Sequence, residues 1–328
     1  MKSGEKQVRV NRTTWALASY AAILYVLRVG LEGSSLGQAL GPHLRFAFAS
    51  FALLLAPLWL FGFGAGDWLR QRMRFRVLRI VVPASLGIPY LAFAYGVGHL
   101  DASVAAAIFG VPVALAALLE LAPRSPKLLW QDTLTLTILA GLYMFKVFAA
   151  AWPYPGLAGL PKLYIADLAL YLYLLVRRLE DVGYSFIPSA SALWTGLREW
   201  FFFLPFGIGL GFAMHFIHFH PQIPSLTAAL TAILVTFLFV AVPEELFFRG
   251  ILQNLLETSL GSRRALILAA LLFGLSHFNK VAAFNWRYVL LATIAGIFYG
   301  RAWRAHRQLL ACIMTHTAVD VVWSLWFR

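Results

Sequence analysis

The 328-residue sequence is 61 % hydrophobic and only 12 % charged, whereas soluble domains average roughly 45–50 % apolar and 25 % charged residues. This composition excludes a soluble globular protein and predicts an integral, multi-pass membrane protein that lies in the lipid bilayer. The formal net charge of +13 would suit a nucleic-acid-binding protein. However, the basic residues are spread over many loops and are not gathered on one face, which excludes that class.

Apolar runs long enough to cross a bilayer predict an all-α bundle of about eight to eleven transmembrane helices. The candidate spans lie near 14–31, 46–63, 80–98, 103–122, 133–152, 163–176, 200–219, 226–257, 265–279, 288–302 and 309–327. The first run lacks a convincing cleavage site, so we interpret it as a retained span and not as a signal peptide. The segment 163–176 is short and carries Asp167, which leaves a re-entrant or interfacial position open for it.

The basic residues fall at every second connection between the predicted spans. These residues are Lys2, Lys6, Arg9, Arg12, Arg70, Arg72, Arg74, Arg76, Arg79, Arg124, Lys127, Arg177, Arg178, Arg263, Arg264, Arg301, Arg304 and Arg307. Cytoplasmic loops of membrane proteins carry such an excess of lysine and arginine. The alternation therefore predicts a cytoplasmic N-terminus.

Ionisable residues in the middle of predicted spans divide the sequence into two parts. Residues 1–185 hold few of them, whereas residues 186–328 hold three charged motifs. We therefore predict an N-terminal membrane extension of unknown role over 1–185 and a catalytic core over 186–328.

The three motifs place charged and polar side chains inside predicted membrane helices. They read Glu244-Glu245-Leu-Phe-Phe-Arg249, Phe273-Gly-Leu-Ser-His277 and His316-Thr-Ala-Val-Asp320. Each ionisable side chain costs about 2.5–3.5 kcal/mol at the centre of a membrane helix, so a cluster of them indicates a functional site. We therefore expect the helix bundle to contain a polar intramembrane cavity.

Distances along the predicted helices indicate that the motifs meet at one depth in the membrane. With a rise of about 1.5 Å per residue, Glu244 and His277 lie about 18 and 20 Å from the loop that joins their helices. His316 lies about 14 Å beyond its own loop, and a tilted helix can bring it level with the other two. Glu245 and Arg249 are four residues apart and share a face, so an intrahelical ion pair is the simpler interpretation of these two.

A carboxylate and two imidazoles at one depth can activate water for attack on a peptide carbonyl. Glu244 would act as the general base, and His277 would help to hold the water. His316 and Asp320 would orient a donor towards the resulting oxyanion. The same four residues could instead hold a divalent metal such as zinc, although the helical His-Glu-x-x-His signature is absent. The sequence leaves the metal-free and the metal mechanism both open.

These motifs resemble those of the CAAX prenyl protease and bacteriocin-processing family of intramembrane proteases. The family signatures are Glu-Glu-x-x-x-Arg, Phe-x-x-x-His and His-x-x-x-Asn/Asp, and all three occur here in the family's order. The resemblance covers roughly residues 195–328 and implies hydrolysis of a membrane-associated protein or peptide substrate. Glu245 and Arg249 complete the first motif.

The resemblance also assigns roles to single residues. It implies that Glu244 is the catalytic glutamate and that His277 binds the water, with His316 and Asp320 on the oxyanion side. The last position is often asparagine in the family, so Asp320 is a departure. An aspartate there could orient His316 or bind a metal.

Two segments resemble the bacterial branch of this family that is found beside exosortase protein-sorting systems. They are Arg198-Glu-Trp-Phe-Phe-Phe-Leu-Pro and Leu309-Leu-Ala-Cys-Ile-Met-Thr-His316. The resemblance implies a location in a bacterial inner membrane and an exosortase-like system as a partner.

Two other functions fit the same charged helices. The first is a noncatalytic membrane scaffold or self-immunity protein that holds a partner helix in the polar cleft. The second is a secondary transporter, but the interrupted spans that transporters repeat in their two halves are not evident. The histidines His215, His218 and His220 lie at a span end on different helix faces, which favours interfacial positions over a metal site.

Cys312, the single cysteine, lies one helical turn before His316, which suggests a thiol–imidazole nucleophile as a further alternative. That mechanism would leave Glu244 and His277 without a role, so we interpret Cys312 as a small apolar filler. We expect Cys312→Ala to leave the rate of substrate cleavage largely unchanged. An inactive variant would overturn this ranking of the two mechanisms.

Overall fold

The computed structural model describes residues 2–278, 280 and 285–327, with side chains from Arg12 onward. Twelve helices and no strand run through these residues, and a single isolated β-bridge joins Phe219 to Phe327. The helices are α1 (Lys2–Glu32), α2 (Ser35–Gly62), α3 (Ala65–Arg72), α4 (Arg76–Val97), α5 (Ala102–Glu120), α6 (Trp130–Met144), α7 (Gly159–Val176), α8 (Ala190–Ala213), α9 (Leu226–Leu260), α10 (Ser262–Leu275), α11 (Trp286–His306) and α12 (Leu309–Trp326). The predicted all-α fold is confirmed.

Seven helices of the described chain are long and apolar enough to cross a membrane, namely α1 from Arg12 onward, α2, α4, α5, α7, α9 and α12. This number is smaller than the predicted eight to eleven, and the helix ends explain the difference. Helix α6 stops at Met144 and α10 stops at Leu275, which leaves both too short. Helices α8 and α11 are long enough, but charged residues such as Arg198 and Arg301 lower their hydropathy.

The chain divides into two compact units. The N-terminal unit comprises Met1–Pro123 and Gln131–Arg178, and the C-terminal unit comprises Arg124–Trp130 and Leu179–Arg328. The predicted extension over 1–185 and the catalytic core over 186–328 stay predictions as functional assignments.

Helix α7 forms the centre of the N-terminal unit. Nearly every side chain from Leu160 to Tyr171 is buried, and a helix that is apolar on all sides is expected at the core of a bundle. Leu54 and Leu58 of α2 are buried in the same unit. The segment 163–176, for which an interfacial position was open, is therefore part of a buried helix that is long enough to span a membrane.

The N-terminal unit contains two buried arginine–carboxylate ion pairs. Arg177 Nε lies 2.9 Å from Asp132 Oδ1, and both side chains are buried. Arg79 binds both carboxylate oxygens of Glu120, with 3.0 Å between Nη2 and Oε2. Moving a charge out of water costs several kcal/mol, so each of these buried charges needs its partner.

Helix α9 of the C-terminal unit carries the first motif on an irregular stretch. The segments Phe237–Ala241 and Leu246–Gln253 are π-helical and flank the α-helical turn Val242–Glu245. Pro243 has no N–H and cannot donate to the helical ladder. Wider π-helical turns are rare and occur often at functional sites.

Helices α10 and α11 pack closely because Gly274 has no side chain. A Cβ atom at this position would clash with the Thr293 hydroxyl and lie 2.6 Å from the Val289 carbonyl oxygen. Small residues allow membrane helices to approach in this way. The close packing fixes the end of α10, from which the chain continues to His277.

We expect Asp132→Asn to destabilise the protein by about 3–5 kcal/mol, because it leaves the buried Arg177 without a charge partner. Thermal unfolding of the purified protein in detergent would measure the loss. Glu32→Gln is the control, since it removes the exposed pair with Arg28, which contributes about 0–1 kcal/mol. An equal loss of stability in both variants would contradict the stabilising role of the buried pair.

Candidate active site

The two adjacent glutamates of α9 point in different directions. Glu244 faces the end of α10, whereas Glu245 faces α12, and both are buried in the C-terminal unit. Successive residues of a helix differ by about 100° in direction, which accounts for the separation. The two carboxylates therefore have different partners.

The carboxylate of Glu244 lies between two imidazoles and an ammonium group. Its Oε2 lies 4.0 Å from His277 Nε2 and 3.9 Å from His316 Nε2. Its Oε1 lies 3.7 Å from Lys280 Nζ. Glu244, His277 and His316, which the sequence predicted to meet at one depth, thus lie together. The distances from the Glu244 carboxylate to the two imidazoles are longer than a direct hydrogen bond.

His277 does not lie within a helix, although the sequence predicted a span over 265–279. Helix α10 ends at Leu275, and His277 occupies the turn that follows. Its Nδ1 lies 2.8 Å from the Phe273 carbonyl oxygen. A carbonyl only accepts hydrogen bonds, so Nδ1 carries a proton and a neutral ring presents the Nε2 lone pair towards Glu244.

His316 is held on both of its nitrogens and on one ring face. Its Nδ1 lies 2.7 Å from Glu245 Oε1, and its Nε2 lies 3.5 Å from Asp320 Oδ2. The ring stacks on Tyr299 with 4.6 Å between centroids and 17° between planes. The imidazole therefore has little freedom to turn.

Arg249 completes the support of His316. Its Nη1 donates to Glu245 Oε1 over 3.1 Å, and its Nη2 donates to the Gly296 carbonyl of α11 over 3.1 Å. The guanidinium also lies 4.4 Å from the ring centroid of Phe273. The intrahelical ion pair expected from the sequence is present, but the same carboxylate oxygen also binds His316. Glu245 thus contacts both Arg249 and His316, and we expect this pair to position the imidazole.

Three further side chains contact this cluster and belong to none of the motifs. Lys280 lies beside Glu244, Tyr299 stacks on His316, and Tyr288 packs its ring 5.0 Å from that of His277. Lys280 follows His277 by only three residues, which is the one signal that could have found it. The tyrosines resemble ordinary core aromatics in the sequence and carry no such signal.

A cavity of about 90 Å³ opens onto one side of the cluster. Among its lining residues are His277, His316 and Asp320 at one end, and apolar side chains such as Phe203 and Trp323 elsewhere. The cavity is thus mostly apolar, with the polar groups of the motifs at one end. An apolar pocket with a few convergent polar groups is the usual form of a ligand site.

The predicted ligands of a divalent metal are Glu244, His277, His316 and Asp320. Within the described residues, no group of three histidine, cysteine, aspartate or glutamate side chains is arranged to hold a metal ion. Cys312 is fully buried and donates to the Leu309 carbonyl. The metal mechanism stays a prediction.

The exposed histidines His215, His218 and His220 lie in the connection after α8. None of them contributes to a metal-binding group within the residues that the structure describes. Their interfacial position stays a prediction.

Residues 225–322 match a family described as type II CAAX prenyl endopeptidase, Rce1-like. This part of the chain is similar to that family. The match spans all three motifs and indicates a multi-pass membrane protease of the CAAX endopeptidase type. No curated protein and no solved structure matches the chain. The exosortase-associated branch and the cytoplasmic N-terminus stay predictions.

The shared contact of Glu245 with Arg249 and His316 predicts a kinetic effect. Glu245→Gln keeps an oxygen that accepts hydrogen bonds but removes the charge that both partners face. Hydrogen bonds to charged groups contribute about 1.5–3 kcal/mol, so kcat should fall roughly 10- to 150-fold. KM should change little, because Glu245 is fully buried. Separate measurement of kcat and KM checks this.

Tyr299→Phe is the matched control, since it retains the aromatic stack on His316. We expect near-normal kcat for this variant. A raised KM with unchanged kcat in Glu245→Gln would mean that Glu245 contacts the substrate, which contradicts a positioning role. Thermal unfolding of both variants separates this effect from a loss of fold.

Proposed function

We propose that the protein hydrolyses a peptide bond of a membrane-associated protein or peptide, with Glu244 as the general base. The observation that carries the proposal is that Glu244 Oε2 lies 4.0 Å from His277 Nε2 and 3.9 Å from His316 Nε2. A water molecule between Glu244 Oε2 and His277 Nε2 can donate one hydrogen to each. A lone pair of the water oxygen is then free to attack a carbonyl carbon.

In the proposed reaction, Glu244 is the side chain that accepts the proton of the water and later returns it. As the water oxygen bonds to the carbonyl carbon, one water proton moves to the Glu244 carboxylate and the carbonyl oxygen becomes an oxyanion. When the carbon–nitrogen bond breaks, the protonated Glu244 returns this proton to the leaving amine. The proposed products are a new carboxyl terminus and a new amino terminus.

His316 is the proposed donor to the oxyanion. A doubly protonated ring can donate from Nδ1 to Glu245 and present its Nε2–H at the cavity end, beside Asp320. The two flanking carboxylates compensate the positive charge of such a ring. An ionised Asp320 has no hydrogen to donate, so its proposed role is to orient His316.

The apolar lining of the cavity supports a substrate that arrives from the lipid phase. A side chain or attached group of the substrate would occupy the apolar part, while the carbonyl lies at the end with His277 and His316. Most of the binding would come from apolar burial, and the few polar groups would orient the scissile bond. The chemical identity of the bound group is not part of the proposal.

Glu244→Gln removes the proposed base while keeping the shape of the side chain. We expect the cleavage rate to fall by about 10²–10⁴-fold, the usual contribution of a general base, and we expect a loss of cleavage in His277→Ala. Comparison of new protein termini in membranes that contain the active chain or the Glu244→Gln chain would reveal the substrates and measure the loss. Unchanged cleavage in both variants would end the proposal.

Two controls accompany this experiment. Cys312→Ala, a buried change in the same helix as His316, should keep cleavage. Treatment of the active protein with a chelator, combined with metal analysis, tests the zinc alternative, since a metal-dependent enzyme would lose activity. If Glu244→Gln keeps the cellular phenotype of the active chain, the noncatalytic scaffold becomes the better hypothesis.

A further inference from the structure

A second chemically distinctive surface lies in the N-terminal unit, between helices α2 and α4. Both helices are long and apolar enough to cross a membrane, so the connection between them lies at the membrane surface. This connection contains α3 and carries arginine at every second position of its last part, namely Arg70, Arg72, Arg74 and Arg76. We refer to residues 68–76 as the basic surface.

Two carboxylates of the same unit are already engaged by buried arginines. Glu120 binds Nε and Nη2 of Arg79. Asp132 forms the buried pair with Arg177 at 2.9 Å. The exposed Asp67 in the first turn of α3 is the one acidic residue between α2 and Arg76, so the four arginines leave this connection with an excess of positive charge.

Three of the four arginines of the basic surface are exposed, namely Arg72, Arg74 and Arg76. Arg70 is half-buried and donates to the Leu174 carbonyl. No carboxylate of the described chain pairs with Arg72 or Arg74, and Arg76 lies 3.8 Å from Glu120, which is mainly engaged with Arg79. The result is a cluster of positive charge at the membrane surface.

Two exposed aromatic side chains lie beside these arginines in the sequence. Trp68 is 54 % exposed and Phe75 is 72 % exposed, and the guanidinium of Arg72 lies 4.3 Å from the Trp68 ring centroid. Aromatic rings are favoured at the level of lipid headgroups, where one side is apolar and the other is wet.

We propose that the basic surface binds the phosphate groups of anionic phospholipids in the leaflet that it faces. Guanidinium groups donate two parallel hydrogen bonds to phosphate oxygens, and basic clusters beside a membrane helix attract anionic lipids. The exposed Trp68 and Phe75 insert among the acyl chains beside the headgroups. This surface gives residues 1–185 a function that is independent of the proposed peptidase site.

The test measures thermal unfolding of the full-length protein in a neutral detergent. Added phosphatidylglycerol should raise the unfolding midpoint by several degrees, whereas phosphatidylcholine should raise it much less. Arg72→Gln/Arg74→Gln should lose most of the rise with phosphatidylglycerol, and each single variant should lose part of it. The rise should also shrink at high salt, because salt screens exposed charges.

Arg263→Gln/Arg264→Gln is the matched control, since it removes two exposed arginines from the C-terminal unit. It should keep the rise with phosphatidylglycerol. The proposal is overturned if the Arg72/Arg74 variant keeps the full rise, if both double variants lose it equally, or if the two lipids act alike. Inorganic phosphate at the same concentration should not reproduce the rise, and an equal rise would indicate a site for free phosphate instead.

Discussion

One carboxylate oxygen holds the candidate active site together. Glu245 Oε1 lies 2.7 Å from His316 Nδ1 and 3.1 Å from Arg249 Nη1, and all three side chains are buried. A buried charge without a partner would cost several kcal/mol, so neither neighbour can leave without a penalty. Arg249 also donates to the Gly296 carbonyl, where a Cβ atom would lie 3.1 Å from its Nη2. The hydrogen bonds of Glu245 and Arg249 thus join α9, α11 and α12.

The contacts of Glu245 distinguish it from the adjacent Glu244. Glu245 Oε1 binds two partners inside the protein, Arg249 and His316, whereas Glu244 Oε2 faces two imidazole nitrogens across gaps of 3.9–4.0 Å. Gaps of this size suit a bridging water better than a direct hydrogen bond. Two carboxylates of the same kind thus have different surroundings, and the proposed mechanism gives them different functions on this ground. The π-helical turns on either side of Val242–Glu245 accompany this change of direction.

Much of this arrangement could be predicted from sequence because helices rise regularly. Counting residues from the loops was enough to expect Glu244, His277 and His316 at one depth, and the apolar composition was enough to expect an all-α membrane fold. Helix ends were harder to predict, because they depend on packing between helices. The turn after Leu275 falls inside the span that the sequence predicted over 265–279. The contact of Lys280 with Glu244 depends on that turn and could not be predicted without it.

Asp320 shows how one departure from a family pattern shifts the chemistry to its neighbours. Asparagine at this position could donate an amide hydrogen to an oxyanion, whereas an ionised aspartate can only accept. On the proposed mechanism, the donor must then be Nε2 of His316, and the ring must carry a proton on both nitrogens. That state is stable in a buried site only if negative charge lies close by. Asp320 and Glu245 provide it from opposite sides of the ring, so the departure makes the charge of Glu245 more important to this protein than it would be with asparagine.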